Sequence, residues 1–311
     1  MTRNTRERMA WFNGELMPES EVRISFRDRG WLFGDTAFDV ARTFAGKPFK
    51  LREHVDRLYR SLAYMQIDPG MDVDEMTRVS ERVLEANASL LSPDRDYWVG
   101  QRVSRGLMPL DGEEPEYTTP TIVVDCTPLP LSSRAADFRD GIEVIVPSVR
   151  RTPPESLSPR AKMCNYINVI LGDLEVKARN PRAWAVLLDR SGNLAEGMGS
   201  NVFLVRDGVL FTPRPDFVLA GISREVVMEL AADLGIECRE ADVSLYDACN
   251  ADEAFLTSTS LCLCPVRSFN GVAVRAAGIP GPVTARLTSA FKELVGFDFV
   301  DQYLRYLSAR T

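Results

Sequence analysis

The chain has 311 residues, 45% of them apolar and 26% charged, with a net charge of −7. That length exceeds the size at which one core usually stops growing, so two domains are expected. The acidic balance, with no basic block and no basic run interleaved with aromatics, argues against a nucleic-acid or membrane-surface partner, and no stretch approaches the roughly 20 apolar residues that span a bilayer.

The opening MTRNTRERMAWFNGE has charges but no apolar core, so no secretory leader is read there. AWFNGELMP sets an Asn-Gly turn between two apolar runs, a hairpin signal. Residues 36–44, TAFDVARTF, alternate as a strand, and Leu51, Val55, Leu58 and Leu62 then recur at helical spacing. A second helix is predicted over 73–91, with Met76, Val79, Val83 and Leu90 on one face. YWVGQRV (97–103) and TIVVDC (121–126) read as strands, and Gly106 to Thr119 as a mobile surface loop. CTPLPLSSR, with its prolines and serines, reads as a boundary. The expected organisation is therefore a domain over 1–126, a linker over 127–134 and a second domain over 135–311.

In the second part IEVIVPSV is a predicted strand, and the prolines of TPPESLSP forbid a helix there. A helix follows Lys162, with Ile167, Ile170, Leu171, Leu174 and Ala178 as its apolar stripe. WAVLLD, NVFLV and VLFTP form a predicted meander joined by RSGN and Asp207-Gly208 turns. A helix is predicted over 222–234, its inner face Ile222, Val226, Val227, Leu230 and Leu234, with Gly235 as its stop. EAFLTSTSLCLCPV gives a buried strand and VTARLTSAFKEL a final helix. Segregated strands and helices indicate an α+β chain in two parts.

Several chemistries are excluded by count. The one histidine, His54, rules out a two-histidine metal site, and no G-x-S-x-G elbow, phosphate loop or G-x-G-x-x-G turn is present. No metal is expected. The six cysteines include no Cys-x-x-Cys pair and read as reduced thiols of a cytoplasmic protein.

Lysine is scarce: five (Lys47, Lys50, Lys162, Lys177 and Lys292) among 37 basic residues. Unlike arginine, it can lose its proton and act as a nucleophile. Lys162, in SPRAKMCNY, sits in extended chain just ahead of a helix and is the first candidate for covalent chemistry. In LAEGMGSN, Glu196 precedes a glycine bend. It is either an exposed turn residue or a carboxylate held for a protonatable ligand atom. AGISRE opens a helix at Ile222 and Ser223, an ordinary cap or an anion site. TSTS (257–260) puts hydroxyls at a strand end, free to bond phosphate oxygens or their own backbone. Arg52 begins a helix and is suited to a phosphate. An aldehyde for Lys162, a phosphate for Arg52, Ser223 and Thr259, and a ring nitrogen for Glu196 together describe pyridoxal 5'-phosphate.

The segments DRGWLFGDTAFDV, KLREHVDRL, RAKMCNY, NLAEGMGSNVFLVRDGVLFTP, AGISRE, DEAFLTSTS and GPVT, in that order, resemble the class IV aminotransferases, the fold-type IV pyridoxal-phosphate enzymes. The resemblance runs from about residue 10 to 290. It implies a small N-terminal α/β domain and a larger β-barrel-like C-terminal domain with helices. It implies that Lys162 carries the cofactor as a Schiff base and shuttles the substrate proton. Glu196 would pair with the pyridine nitrogen, and Tyr166 with the phenolic oxygen. Arg52, the backbone at Ile222, and the hydroxyls of Ser223 and Thr259 would hold the phosphate. It also implies a homodimer with the site between the two domains.

The substrate is less legible. Branched-chain members often carry Tyr-x-Arg on the strand matching 97–103, where this chain has Tyr97, Trp98 and Val99. D-amino-acid members tend to follow the Arg-Gly turn with Arg-x-His, where this chain reads LMPLDGEE. An aromatic pocket of Trp31, Phe33, Phe38 and Tyr97, with Ser260, is expected, and SVRRTP (148–153) is similar to a segment of (R)-selective amine transaminases. The reading is transfer of an amino group between a hydrophobic amine or amino acid and a 2-oxo acid. An aminodeoxychorismate lyase on the same scaffold, and a two-domain binding protein without catalysis, are the alternatives.

Overall fold

The computed structural model describes residues 7–90, 95–112, 119–276 and 278–307. The chain divides into two compact units, Met1–Leu129 with Ala161–Asn165, and Pro130–Arg160 with Tyr166–Thr311.

The first unit is built on a six-stranded antiparallel sheet. Asn13 and Gly14 take positive φ, as a two-residue hairpin turn requires, and join β1 (Met9–Phe12) to β2 (Glu15–Pro18). The short helix α1 (Arg29–Phe33) leads into β3 (Thr36–Phe44), which turns into β4 (Lys47–Phe49). Helices α2 (Leu51–Met65) and α3 (Val73–Ala86) follow, then β5 (Tyr97–Ser104) and β6 (Thr121–Pro128). The sheet order is β2-β1-β6-β5-β3-β4. Val55, Leu58 and Leu62 of α2 and Met76, Val79 and Val83 of α3 pack on Ala37, Ala41, Val99, Val103 and Val124. Burying each such large side chain contributes about 1.5–3 kcal/mol. Strand alternation sends Phe38, Val40, Trp98, Arg102, Val123 and Asp125 to the other, more open face.

The second unit carries a nine-stranded mixed sheet flanked by helices. It comprises α4 (Leu131–Asp140), β7 (Ile142–Ile145), α5 (Ile167–Arg179), β8 (Trp184–Ala185), β9 (Glu196–Gly197), β10 (Ser200–Arg206) and β11 (Val209–Pro213). Then follow α6 (Ile222–Asp233), β12 (Cys238–Ala241), α7 (Leu245–Cys249), β13 (Glu253–Ser258), β14 (Cys262–Phe269), β15 (Val272–Ala273), α8 (Pro282–Val295) and α9 (Phe299–Leu304). The main path is β12-β11-β10-β13-β14-β7-β8, with β9 on β10 and β15 on β14. The strands β10, β13 and β14 are buried along almost their whole length, hence their continuous apolar runs.

Three expectations need correction. The linker over 127–134 is taken up by the end of β6 and the start of α4, leaving two residues between them. Pro130 ends no helix but stands at the N-cap of α4, where its missing N–H is harmless. The lysine segment groups with the first unit although it lies in the second half of the sequence. The α5 stripe of Ile167, Ile170, Leu171 and Leu174 is exposed, while Val169, Gly172 and Val176 are buried. The loop expected over Gly106 to Thr119 lies partly outside the described residues, as does the last residue of the helix predicted to 91.

Candidate active site

The strand β4 covers β3 only from Arg42 to Phe44, so the β3 edge at Thr36–Phe38 is open. The lysine segment fills it. Phe38 N donates to Lys162 O at 3.0 Å, and Cys164 N donates to Thr36 O at 2.9 Å. Lys162 N donates to Ser61 Oγ on α2 at 2.9 Å. The backbone of the lysine is thus fixed on a sheet edge and a helix, and its Nζ stands 4.5 Å from the centre of the Phe38 ring.

On the opposite face of β3, Asp39 is fully buried. Arg57 Nε and Nη2 each donate to it at 2.8 Å, and His54 Nδ1 lies 2.7 Å from Oδ1. Burial opposes ionisation of Asp39, yet the forked Arg57 guanidinium and the His54 ring hold its carboxyl far below the usual range. His54 itself is shifted down, by burial first and then by the charges of Arg57 and Lys162. The lone histidine is therefore a structural partner of Asp39, as expected.

The phosphate role expected of Arg52 is not met by its placement. Arg52 is exposed and pairs with Asp56 and Asp74. The α2 face that turns inward carries His54, Arg57, Leu58 and Ser61, and position 52 lies off it. Arg57 was the missed residue, and the three- and four-residue spacing of that polar set was the available signal.

In the second unit Glu196 is buried in β9, not exposed in a turn. Its Oε1 accepts from Arg151 Nε at 2.9 Å, and its Oε2 from Leu219 N at 2.9 Å. A Cβ at neighbouring Gly197 would meet Ser200 Oγ at 2.5 Å and Ala185 O at 2.7 Å, so only glycine fits this approach. Helix α6 starts after Gly221 with no side-chain cap. The Ser223 hydroxyl instead donates to Ser258 O at 3.0 Å, tying the helix start to the end of β13. Ile222 and Ser223 are both buried. The Thr257 hydroxyl is buried without a hydrogen-bond partner, and Thr259 and Ser260 form the turn that follows. Ser260 Oγ accepts from Arg134, and its carbonyl accepts from Tyr303 at 2.7 Å. Tyr166 stands at the N-cap of α5, packed on the cluster of Val169, Val176 and Leu187. An uncapped helix start, a buried hydroxyl without partner and an anchored carboxylate fit an anion and a protonated ring nitrogen.

The expected aromatic pocket does not assemble. Tyr97 is buried in the first core and its hydroxyl donates to Leu90 O at 2.9 Å. Trp31 and Phe33 are exposed on α1, and only Phe38 stands beside the lysine. No metal-binding cluster occurs among the described residues, and among them no helix is long and apolar enough to cross a membrane.

Residues 36–269 match the sequence profile of Amino-transferase class IV. The chain belongs to the class IV aminotransferases. It is 32% identical over 287 residues to the branched-chain-amino-acid aminotransferase of Salmonella typhimurium, covering 90% of this chain and 91% of that one. It is 30% identical over 285 residues to the D-alanine aminotransferase of Bacillus licheniformis, covering 91% and 96%. Among solved structures, the Escherichia coli branched-chain amino acid aminotransferase superposes with a TM-score of 0.83 at 29% identity, over 93% of this chain and 95% of that one. A thermophile's branched-chain amino acid aminotransferase (T.th.), complexed with N-(5'-phosphopyridoxyl)-L-glutamate, gives 0.81 at 26% identity, over 93% and 95%. A class IV aminotransferase is a pyridoxal-phosphate enzyme of α+β, fold-type IV architecture, and this chain is one. The bound cofactor supplies an electron sink for the carbon that carries the amino group.

Proposed function

We propose that this aminotransferase moves an amino group between an amine or amino acid with an apolar side chain and a 2-oxo acid. The observation that carries the reading is the backbone lock on Lys162, which fixes a rare lysine on the β3 edge with its Nζ over Phe38. Lys162 Nζ holds the cofactor's carbonyl carbon and then takes and returns the proton at the substrate's α-carbon. Glu196, gripped on both oxygens, holds the proton at the pyridine nitrogen. The Ile222 and Ser223 amides at the uncapped start of α6, with the hydroxyls of Ser223 and Thr259, hold the phosphate. On α2 the buried guanidinium is Arg57, whose charge reaches His54 together with that of Lys162, and it takes the cationic role that Arg52's placement denies. Tyr166 bonds the phenolic oxygen.

The substrate class follows the branched-chain relatives, with an amine donor in the manner of the (R)-selective transaminases as the narrower form. The enzyme works as a homodimer, for which the exposed apolar stripe of α5 is the support. Free thiols throughout the described chain fit a reducing compartment, the cytoplasm. The test is a donor panel. The purified protein, loaded with pyridoxal phosphate, is mixed with L-leucine, D-alanine or (R)-1-phenylethylamine in the absence of an acceptor. Loss of the visible cofactor band, restored by pyruvate or 2-oxoglutarate, is the expected result. Release of pyruvate from aminodeoxychorismate without an acceptor identifies a lyase instead.

A further inference from the structure

The open face of the first sheet presents a charged pair near Lys162. In the β3–β5 register Phe38 lies opposite Arg102, and in the β5–β6 register Gly100 lies opposite Asp125. Directly opposed residues share a face, so Phe38, Arg102 and Asp125 stand together. Gly100 makes the space for the pair. A Cβ there would lie 3.0 Å from Arg102 Nη1 and 3.1 Å from Asp125 Oδ2. The guanidinium lies across this glycine and reaches Asp125 through Nη1, with its side chain 45% exposed. An arginine has five N–H donors in a fork, so this contact leaves most of them for a second acceptor. Burial pushes the Cys164 thiol up, while Arg102 and Lys162 both pull it down, which puts both cations around one side chain. From Arg102 the same face opens into a groove of about 720 Å³, walled by Ile24, Phe26, Trp31 and Val123. An apolar groove with a guanidinium on its wall suits a ligand with an apolar body and one negative end.

Given Lys162 as the transaminase lysine, we propose that Arg102 determines specificity by receiving the carboxylate of an amino- or oxo-acid substrate whose apolar side chain lies in this groove. Asp125 holds the guanidinium until the substrate carboxylate replaces it. An amine without a carboxylate leaves the pair intact and forgoes that contact.

Calorimetry on the pyridoxal-phosphate-loaded protein tests this with two probes of one shape, 4-methylpentanoate and 4-methylpentanamide. The wild type is expected to bind the carboxylate more tightly than the amide. Arg102→Met should weaken the carboxylate by about 10- to 100-fold, the range of a hydrogen bond to a charged group, and leave the amide within about twofold. Asp125→Asn, which releases the guanidinium, should tighten the carboxylate. Arg102→Lys, which keeps the charge but not the fork, should fall between wild type and Arg102→Met. If Arg102→Met does not fold by circular dichroism, the other two variants read the same contrast. Equal losses for both probes, no loss for either, weaker carboxylate binding in Asp125→Asn, or a wild type that binds neither probe overturns the role of Arg102. The visible band on adding a donor is read separately. Its failure to change counts against the transaminase reading, whatever the calorimeter reports about Arg102.

Discussion

Lys162 is held by its backbone, so its side chain is free to do chemistry. None of the hydrogen bonds that dock it on β3 and α2 uses Nζ. Lys162→Ala should therefore keep its far-UV spectrum, with a stability change of about 1 kcal/mol or less, the scale of a substitution outside a packed core. Turnover should fall by at least 10²- to 10⁴-fold, about what a positioned acid–base group supplies. A variant working at near wild-type rate would remove Lys162 from the mechanism. The buried Asp39 and His54 beneath it set a pH dependence of stability. His54 has a folded pKa below its ordinary value of about 6.5, so the unfolded chain takes up that proton first as pH falls. Asp39, also depressed, adds its loss only below the ordinary carboxylate value of about 3.9. Stability should thus decline from about pH 6.5 downward, at up to 1.36 kcal/mol per pH unit for one group. Urea midpoints at pH 7 and pH 5 check this. The wild type should lose more between them than His54→Gln, and parallel losses would show that His54 is not the source.

At the scale of elements, legibility followed locality. The strand over 36–44, the helix from Leu51 and the Asn-Gly and Asp-Gly turns are written in neighbouring residues, and the structure has all of them. Helix α4 was hidden because Pro128 and Pro130 read as breakers. Yet Leu131, Ala135 and Phe138 already carried a helical spacing, and all three are buried. Docking of Lys162 on Thr36–Phe38 joins segments far apart in sequence, and no local pattern encodes such a pairing. Periodicity likewise marked α2 as amphipathic without telling Arg52 from Arg57, because long cations occur on both faces. The start of α6 was legible as an anion site, and its test belongs here. Ser223→Ala removes the bond to Ser258 O along with a phosphate donor. Cofactor affinity should drop about tenfold, as one hydrogen bond to a charged group at about 1.5–3 kcal/mol implies. The thermal midpoint of the cofactor-free protein should move by only a few degrees. An unchanged dissociation constant for pyridoxal phosphate would take Ser223 out of the phosphate site.

For the whole molecule, the informative surface is α5. Ile167, Ile170, Leu171 and Leu174 recur at helical spacing, which in sequence alone reads as an ordinary apolar stripe. Their exposures in the single chain are 65%, 37%, 50% and 59%. The buried side of the helix is supplied by Val169, Gly172 and Val176, against Ala183, Ala185 and Leu187. A helix apolar on both sides has two surfaces to bury, and folding of one chain covers only one of them. A second copy covers the other in a two-fold dimer, because a two-fold axis sets a patch against itself. A standard interface buries about 800 Å² per partner, more than four side chains supply, so the stripe is its apolar centre and not its whole extent. Leu171→Arg with Leu174→Arg places two like charges at that centre. Light scattering should report a dimer for the wild type and a monomer for this double variant, with helix content kept because neither side chain is in the core. Tyr246→Arg, at an exposed ring on α7, should leave the dimer mass unchanged. A monomeric wild type, or a double variant that remains dimeric at micromolar concentration, would mean that the α5 stripe is not the contact between subunits.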